Sequence, residues 1–244
     1  MLNVQRCNLI LKLINKNKNI KLTEIVDKLN VSEATVRRDL NLLEEKGKIK
    51  RVHGGAVLMD VAEEDIIFKK SIFSNEKNKI AKIAASFVKD GDKVYLDAGT
   101  TTGAMISYLA HKENITVITN GLSHLEELNK HKIQTYLIGG RIKGTTAAIV
   151  GGSAVLSLKN YSYDIAFVGA NGVNEDGYST PDEEEAAVKS TVVGNCSRVY
   201  FLCDSSKFFK KSFMNFARLE DGVLISEAKI PEELIKKRLN KNNQ

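Results

Sequence analysis

The sequence predicts an α/β protein in two parts: an N-terminal winged helix-turn-helix and a C-terminal, mostly parallel α/β domain. Three observations predict this fold. Short helical patterns fill residues 4–46, a basic stretch of alternating polar and apolar residues follows them, and strand and helix patterns alternate from residue 93 onward. We therefore divide the chain into a first domain at 1–58, a linker at 59–75 and a second domain at 76–240.

The N-terminal helical patterns end in a helix with one apolar face. The second pattern covers residues 22–29, with Thr23 as its predicted N-cap. A tight turn then leads to Ser32, which is predicted to cap the third helix. Apolar residues of this helix recur at i, i+4 and i+7, so we expect one face to pack inward. These residues are Val36, Leu40 and Leu43.

The outward face of the third helix has the character of a DNA-reading surface. A recognition helix exposes its N-terminal turns to base edges in the major groove, and two arginines lie in those turns. Residues 48–53 alternate polar and apolar, and two glycines separate them from a partner strand at 56–58, which predicts a basic wing. The predicted DNA contacts are Ser32, Glu33, Thr35, Arg37 and Arg38 on the helix and Lys50, Arg51 and His53 on the wing.

Positive charge is concentrated in the first 60 residues. This stretch has twelve Lys and Arg against seven Asp and Glu, and so holds +5 of the chain's net charge of +6. A basic segment is expected of a nucleic-acid binder, although a solvated lysine-rich surface gives the same count. The helix pattern favours the first interpretation, with double-stranded DNA as the partner.

The second domain alternates strand and helix patterns. The strand patterns are short and apolar, which is typical of a parallel sheet covered by helices on both faces. A helical pattern from Glu76 places Ile80, Ile83, Ala84, Phe87 and Val88 on one face. The other predicted helices are 104–109, 122–129, 183–195 and 232–239. The predicted strands are 94–97, 115–119, 135–138, 165–168, 199–202 and 223–225.

Polar, often glycine-rich loops follow five of these strands at their carboxyl ends, where ligands bind in open α/β sheets. The loop at 99–103 leads into a helix, so its N–H groups and hydroxyls form a predicted cradle for an anion such as phosphate. Nearby cations supply counter-charge, and carboxylates and amides suit sugar hydroxyls, which together predict a phosphorylated sugar. The predicted ligand contacts are Asp97, Gly99, Thr100, Thr101, Thr102, Asn120, Gly139, Gly140, Arg141, Asn171, Asp204 and Lys207.

The chain resembles the DeoR family of bacterial transcriptional regulators along nearly its whole length. In the first domain, the segments 31–40 and 53–56 carry the resemblance. In the second domain, it is carried by the segments 76–81, 97–102, 119–120, 139–140 and 204–208. The resemblance implies a sensor domain similar in fold to sugar-phosphate isomerases such as ribose-5-phosphate isomerase. It also implies a repressor that a phosphorylated sugar releases from operator DNA.

The stretch from Gly169 to Lys189 resembles the fructose-operon repressors within this family. That resemblance implies fructose 1-phosphate as the effector. Another sugar phosphate, such as tagatose 6-phosphate, is the alternative. We expect a homo-oligomer to be the form that binds the operator.

Two other functions stay open on the residues alone. An isomerase-like enzyme would use Asp97, Glu184, Asp204 and Lys207 for proton transfer, but no histidine falls in the predicted site loops and the basic first domain would be idle. A nucleoid protein without a sensor would leave the polar loops unexplained. We therefore predict a regulator that is not an enzyme.

The sequence predicts neither a cofactor nor a metal. Its three cysteines, Cys7, Cys196 and Cys203, lack metal-ligand spacing and are expected to be free thiols, mostly in the core. No nucleotide-binding glycine motif occurs in the chain. Basic residues interrupt the apolar positions of the N-terminus, and no apolar run approaches the ~18 residues of a membrane span. We expect a cytoplasmic protein with no membrane contact.

Overall fold

The computed structural model describes residues 3–17, 19–45, 49–52, 54–58 and 74–239. The chain divides into two compact units, 1–64 and 65–244. Most of the predicted linker at 59–75, and the predicted DNA contact His53, lie outside the described residues.

The first unit combines three helices with a small antiparallel sheet. The strand order is β1-β3-β2, so the helix-turn-helix and the predicted wing are confirmed. Strand β1 was not predicted, because three residues between two helices are too few to show a strand period. The helices are α1 (Asn3–Asn17), α2 (Leu22–Leu29) and α3 (Glu33–Glu45), and the strands are β1 (Asn19–Lys21), β2 (Ile49–Val52) and β3 (Gly55–Leu58).

The helix packing differs from the prediction at one cap. Helix α2 begins at Leu22, and no side chain caps it, so the prediction that Thr23 is the N-cap is wrong. The Leu22 N–H donates instead to the carbonyl of Gly54 in the wing turn at 2.8 Å. Val36, Leu40 and Leu43 are buried as predicted, together with Ile10, Ile14 and Ile25.

Gly55 allows the wing to lie against the strand that follows α1. A Cβ at this position would lie 2.2 Å from the carbonyl oxygen of Ile20, which no side chain tolerates. The pairing of β1 with β3 therefore depends on a glycine here.

The second unit is built on a six-stranded sheet in which every neighbouring pair is parallel. The strand order is β14-β12-β9-β4-β5-β6. All six strands were predicted from the sequence, with ends that differ by a residue or so. They are β4 (Lys93–Leu96), β5 (Thr116–Thr119), β6 (Gln134–Leu137), β9 (Ile165–Gly169), β12 (Val199–Leu202) and β14 (Val223–Ile225).

Helices cover both faces of this sheet and create two apolar cores. Val94 and Leu96 of β4 belong to one core and Tyr95 to the other, as the alternation of side chains along a strand requires. The helices are α4 (Ser74–Ala85), α5 (Thr100–Gly103), α6 (Ile106–Leu109), α7 (Leu125–Lys130), α8 (Gly152–Lys159), α9 (Glu183–Gly194) and α10 (Glu232–Leu239).

Five antiparallel strands and helix α8 were not predicted. The strands have three or four residues each and lie close to glycines, so they show no clear alternation. Two of them form a separate pair and three form a small sheet. They are β7 (Arg141–Lys143), β8 (Ala148–Val150), β10 (Gly172–Asn174), β11 (Gly177–Thr180) and β13 (Met214–Ala217).

Three predicted helices differ in detail. The helix expected at 104–109 is reduced to the single turn α6, and the single turn α5 before it was not predicted as a helix. The helix expected at 122–129 starts as a 3₁₀ turn over Leu122–His124. In α4, the predicted inward face is wrong at Ile83, and Phe87 lies beyond the end of the helix. These two side chains are 44% and 41% exposed, and the Phe87 ring stacks on Tyr200 at 4.7 Å.

The cysteines are free thiols, with Cys7 and Cys203 buried and Cys196 half-buried. Burial raises the pKa of the Cys203 thiol to about 12. None of the described helices has the length and apolar character needed to span a membrane. Among the described residues, no cluster of His, Cys, Asp and Glu could hold a metal ion.

Candidate functional site

Helix α3 begins at a polar cap on the exposed surface of the first unit. The Ser32 hydroxyl accepts from the Thr35 N–H at 3.3 Å, and the two hydroxyls lie 2.8 Å apart. The cap predicted at Ser32 is therefore confirmed. Because the pair is exposed, either hydroxyl can turn to a phosphate while water satisfies the other.

The two arginines of α3 are in different situations. Arg37 donates from Nε to the Glu33 carboxylate at 2.9 Å, an exposed pair one helical turn apart. Arg38 is also exposed, and within the described residues its side chain makes no hydrogen bond or ion pair. Arg38 can therefore reach a nucleic acid without first breaking an intramolecular contact.

Helix α3 is held in place by a buried ion pair from its inner side. The Arg6 guanidinium donates to both oxygens of the Asp39 carboxylate, one of them at 2.9 Å. The Asp39 side chain is 1% exposed. The hydrogen bond to Asp39 raises the pKa of the Arg6 guanidinium. This pair connects α1 to the middle of α3.

The wing lies close to the end of α3. The Arg51 N–H donates to the Glu44 carboxylate at 2.8 Å, and the Arg51 guanidinium donates to the side-chain oxygen of Asn41. Arg51 thus extends the polar face of α3 onto the wing. Lys50 belongs to β2, but its side chain, like His53, falls outside the described residues.

In the second unit, a buried ion pair lies at the carboxyl end of the central strands. The Lys189 ammonium donates to the Asp97 carboxylate and to the carbonyl of Gly169, the second at 3.1 Å. Asp97 also accepts from the Gly169 N–H at 3.0 Å. This carboxylate joins three elements and is neutralised by Lys189, a poor arrangement for a proton-transfer base.

Asn120 fixes the neighbouring loops. Its side-chain oxygen accepts from the Tyr95 hydroxyl and from the Ala98 N–H, both at 2.9 Å. Its amide donates to the Ile149 carbonyl at 3.3 Å. Asn120 is 2% exposed, so its polar atoms hold the protein together at this edge.

The predicted anion cradle is a single helical turn closed by Thr102. The Thr102 hydroxyl contacts the carbonyls of Asp97 at 2.6 Å and Gly99 at 2.8 Å, and accepts from the Gly99 N–H at 3.0 Å. Thr101 and Thr102 are buried, whereas Gly99 and Thr100 are partly exposed. The cradle therefore offers Gly99 and Thr100 to a ligand.

A cavity of about 310 Å³ opens beside this turn, and we call it the Lys77 cavity. Its volume is in the range of small-molecule sites. Lys77 of α4 lies in the cavity wall and is 7% exposed. The walls include Lys77, Gly99, Thr100, Gly103, Ser123, His124 and Glu127. Two predicted ligand contacts, Gly99 and Thr100, thus meet two residues that sequence reasoning missed, Lys77 and His124.

His124 corrects the expectation that no histidine lies at the predicted site. Its Nε2 lies 3.1 Å from the Gly99 carbonyl, and its Nδ1 lies 3.3 Å from the Thr119 hydroxyl. The residue follows the predicted loop at 119–121 by only three positions. The position of Lys77, on the buried face of a helix that otherwise packs through Ile80 and Ala84, could have been found from the helical period.

The glycine pair at 139–140 and Arg141 lie at another part of this edge. The Arg141 guanidinium pairs with Glu184 and is 61% exposed. Next to it, the Lys143 ammonium contacts Asp182 at 3.0 Å and Glu185 at 3.3 Å. These pairs connect β7 to the start of α9. Gly139, Gly140 and Arg141 do not line the Lys77 cavity.

The last predicted contacts follow β9 and β12. The Asn171 side-chain oxygen accepts from the Thr180 hydroxyl at 3.4 Å. The Asp204 carboxylate accepts from the Ser206 N–H at 3.1 Å and caps a 3₁₀ turn that contains Lys207. Within the described residues, Lys207 makes no ion pair. Asn171, Asp204 and Lys207 do not line the Lys77 cavity either.

Comparisons with known protein families match both units. Residues 6–62 match the DeoR-like helix-turn-helix domain, and residues 72–227 match the DeoR C terminal sensor domain. The second match alone covers more than half of the chain.

Individual proteins are similar over most of the chain. An uncharacterised HTH-type transcriptional regulator, FruR of Bacillus subtilis, is 43% identical over 93% of this chain and 91% of its own length. The lactose phosphotransferase system repressor of Staphylococcus epidermidis is 36% identical over 88% of each. Among solved structures, ribose 5-phosphate isomerase A from Methanocaldococcus jannaschii is similar over 56% of this chain and 55% of its own, with 23% identity and a TM-score of 0.43.

Proposed function

This chain belongs to the DeoR family, and we propose that it represses a sugar-metabolism operon and leaves its operator DNA when a phosphorylated sugar binds the Lys77 cavity. The proposal has a DNA-binding half in the first unit and an effector-binding half in the second. The names of the similar proteins, a regulator and a phosphotransferase-system repressor, support a role in transcription.

The DNA-binding half is supported by the chemistry of α3 and the wing. The Arg38 side chain is exposed and has no partner among the described residues. Ser32, Thr35 and Arg37 on the same helix end, and Arg51 on the wing, supply further donors for phosphate or base edges. The Glu33–Arg37 pair orients a second guanidinium in the same turn. We propose that this surface enters the major groove.

The effector-binding half is carried by one observation: a largely buried lysine and a glycine-threonine turn share a cavity of about 310 Å³. The ammonium of a largely buried lysine favours an anion, and the Thr100 hydroxyl supplies a hydrogen bond of the kind that phosphate oxygens accept. The cavity volume suits a sugar phosphate. Fructose 1-phosphate is our first candidate, and tagatose 6-phosphate is the alternative.

We assign different tasks to the remaining predicted contacts. The polar atoms of Asp97, Asn120 and Thr102 make hydrogen bonds to backbone groups of the loops around the cavity. We propose that these three residues position the cradle. Asn171 and Asp204 stay candidates for contacts to sugar hydroxyls, and Arg141 and Lys207 for counter-charge to the phosphate, although none of the four lines the Lys77 cavity. The neutralised Asp97–Lys189 pair supports binding over turnover.

The test begins with the effector. The thermal midpoint of the full chain is measured against a panel of phosphorylated sugars, with the free sugars as controls. A ligand that binds the native state raises the free energy of unfolding, by about 2.7 kcal/mol at a ligand concentration of 100 Kd, and the thermal midpoint rises with it. An increase with one sugar phosphate, and none with its free sugar, supports the proposal. No increase with any of them contradicts the effector half.

The second step joins the two halves. Operator DNA is selected from a random pool with the full chain, and its release is followed by fluorescence anisotropy as the effector is added. Release at the concentrations that raise the thermal midpoint supports a repressor with an effector. Equal affinity for every DNA, with no response to the sugar phosphate, contradicts the proposal.

A further inference from the structure

Strand β6 forms one edge of the six-stranded sheet, where it pairs with β5 alone. Each of its residues is exposed or half-buried. Every other strand of this sheet, including β14 at the opposite edge, has at least one buried residue. Strand β6 is therefore the least covered strand of the sheet.

The backbone of β6 presents hydrogen-bonding groups to the outside of the sheet. The N–H of Ile138, the residue after β6, donates to the Thr119 carbonyl of β5 at 3.0 Å. Because the direction of these groups alternates along a strand, the N–H and C=O groups of Thr135 and Leu137 face away from β5. Within the described residues, neither N–H bonds to a backbone group outside the sheet. An open edge of this kind is a template for a further strand.

The composition of β6 is that of a strand with neighbours on both sides. The segment Gln134–Leu137 has no charged residue and no proline, and its register with β5 shows no bulge. Lysines, prolines and bulges are devices that keep an edge strand from pairing. Thr135 and Tyr136 belong instead to the residue types that are enriched in paired strands.

Tyr136 leaves an aromatic surface open at this edge. Its register with Ile118 places it on the face of the sheet that carries the core around Tyr95 and Ile118. Its ring contacts the ring of Tyr161, with centroids 5.9 Å apart, yet the residue is 45% exposed. An aromatic side chain beside open backbone groups suits a cross-strand aromatic pair.

Charge favours a second copy of this chain as the occupant. The residues after position 60 hold only +1 of the net charge of +6, so two second units can meet with little repulsion. A strongly basic or acidic peptide would find no counter-charge on β6. Helix-turn-helix units also bind DNA as two-fold pairs, which requires two copies to associate.

We propose that β6 pairs antiparallel with β6 of a second copy, across a two-fold axis at Tyr136, so that the two sheets become one. Thr135 of each copy then lies opposite Leu137 of the other, and each such pair exchanges two N–H···O bonds. This register uses the outward-facing groups of both residues within the strand. Tyr136 faces its own counterpart, at the position where opposite side chains come closest. The interface does not depend on the effector cavity.

The test uses the residue on the axis, because it must face itself. Sedimentation equilibrium of the full chain, without DNA or sugar phosphate, gives the dissociation constant of the dimer. Tyr136→Lys places two like charges opposite each other, so the dissociation constant should rise by at least about tenfold, and Tyr136→Glu should act in the same way. A mixture of the two variants should associate again, since lysine then faces glutamate. Thermal midpoints check that both variants fold.

A disulfide provides a second measurement of the register. Opposite residues at such a position have Cα atoms about 4.5 Å apart, within the span of a disulfide. Tyr136→Cys should therefore link two copies under mild oxidation, in a chain that also carries Cys196→Ser, since the other cysteines are buried. The matched control is Gln134→Cys, whose sulfur atoms would belong to residues about 13 Å apart and should not link.

Each outcome decides the proposal. Restored association in the mixture and a disulfide at position 136 alone support it. A chain that is monomeric at all concentrations overturns it, and so does a dimer that Tyr136→Lys leaves intact or equal disulfide formation at 134 and 136. A monomer whose Thr135 and Leu137 amides are protected from hydrogen exchange also overturns it, because another segment of the same chain then covers the edge.

Discussion

The Arg6 guanidinium holds the Asp39 carboxylate through two hydrogen bonds, and this buried pair connects α1 to the helix that we propose reads DNA. The pair lies opposite the exposed arginines of the same helix. Asp39 is one position from Arg38 in sequence, so whatever fixes Asp39 also fixes the direction in which Arg38 leaves the helix.

Removing Arg6 should destabilise the first unit strongly. Arg6→Ala leaves the Asp39 carboxylate buried without its cation, and breaking such a pair costs about 3–5 kcal/mol. Hydrogen exchange of the α3 amides measures this loss. The double variant Arg6→Met with Asp39→Leu should recover most of it, since no charge is then left buried. If Arg6→Ala exchanges as slowly as the unaltered chain, the pair does not support α3.

Removing Arg38 should weaken operator binding and leave folding unchanged. Arg38→Ala is expected to lose about 1–3 kcal/mol of binding if the guanidinium reads a base. Anisotropy with the selected operator measures this, and Arg218→Ala, an exposed arginine of the second unit, is the control. Equal affinity of Arg38→Ala and the unaltered chain would refute the assignment of the reading face.

Removing Lys77 should separate the two halves of the function. Lys77→Gln takes the ammonium from the cavity, so operator binding should persist while a sugar phosphate no longer releases the DNA. The control is Lys82→Gln, an exposed lysine on the same helix. Normal release from Lys77→Gln would show that the phosphate binds elsewhere, with Lys207 as the next residue to test.

The cap of α9 should make the second unit sensitive to acid. Asp182 accepts from the Glu185 N–H at 2.9 Å and contacts Lys143 at 3.0 Å. Burial alone would raise the pKa of Asp182, but these hydrogen bonds outweigh it and lower the pKa. Because the pKa of Asp182 is lower in the folded state, its carboxylate stabilises the fold at pH values above the pKa of the unfolded state. That stabilisation is lost as pH falls through the pKa of the folded state.

Asp182→Ala should therefore cost about 1 kcal/mol at neutral pH, and the difference should shrink below about pH 4. Urea unfolding at several pH values measures it. Asp182→Asn keeps a cap acceptor without the charge, so we expect a smaller loss at neutral pH, and this loss should also shrink as Asp182 of the unaltered chain becomes protonated. A constant difference between Asp182→Ala and the unaltered chain at all pH values would contradict this account.

The sequence was most informative where apolar periods are long or repeated. The buried face of α3 and all six parallel strands follow from residue patterns alone, because burial on one or both faces dictates those patterns. The short antiparallel strands of the second unit, such as β10 and β11, escaped prediction. Their pairing and register define them, and a run of three or four residues does not encode either. Thr23 was wrongly predicted as the cap of α2, because the helix begins one residue earlier, where the Leu22 N–H donates to the Gly54 carbonyl in the wing.

The candidate site was predicted only where a local sequence pattern marks it. The glycine-threonine turn was predicted from its composition, and Gly99 and Thr100 line a cavity. The composition around Lys77 and His124 gives no such signal. The helical period places Lys77 on the buried face of α4, but only tertiary packing brings Lys77 and His124 to the same cavity. Their importance arises from contacts between segments that are distant in the chain.

The pair of Asp97 and Lys189 joins residues that are 92 positions apart, and it neutralises the carboxylate beneath the cradle. During synthesis, the first unit and β4 leave the ribosome well before Lys189 does. A growing chain can therefore complete its first unit while Asp97, beneath the proposed effector site, still lacks its cation. A shortened chain that ends before α9 would resemble a repressor with no means of being switched off.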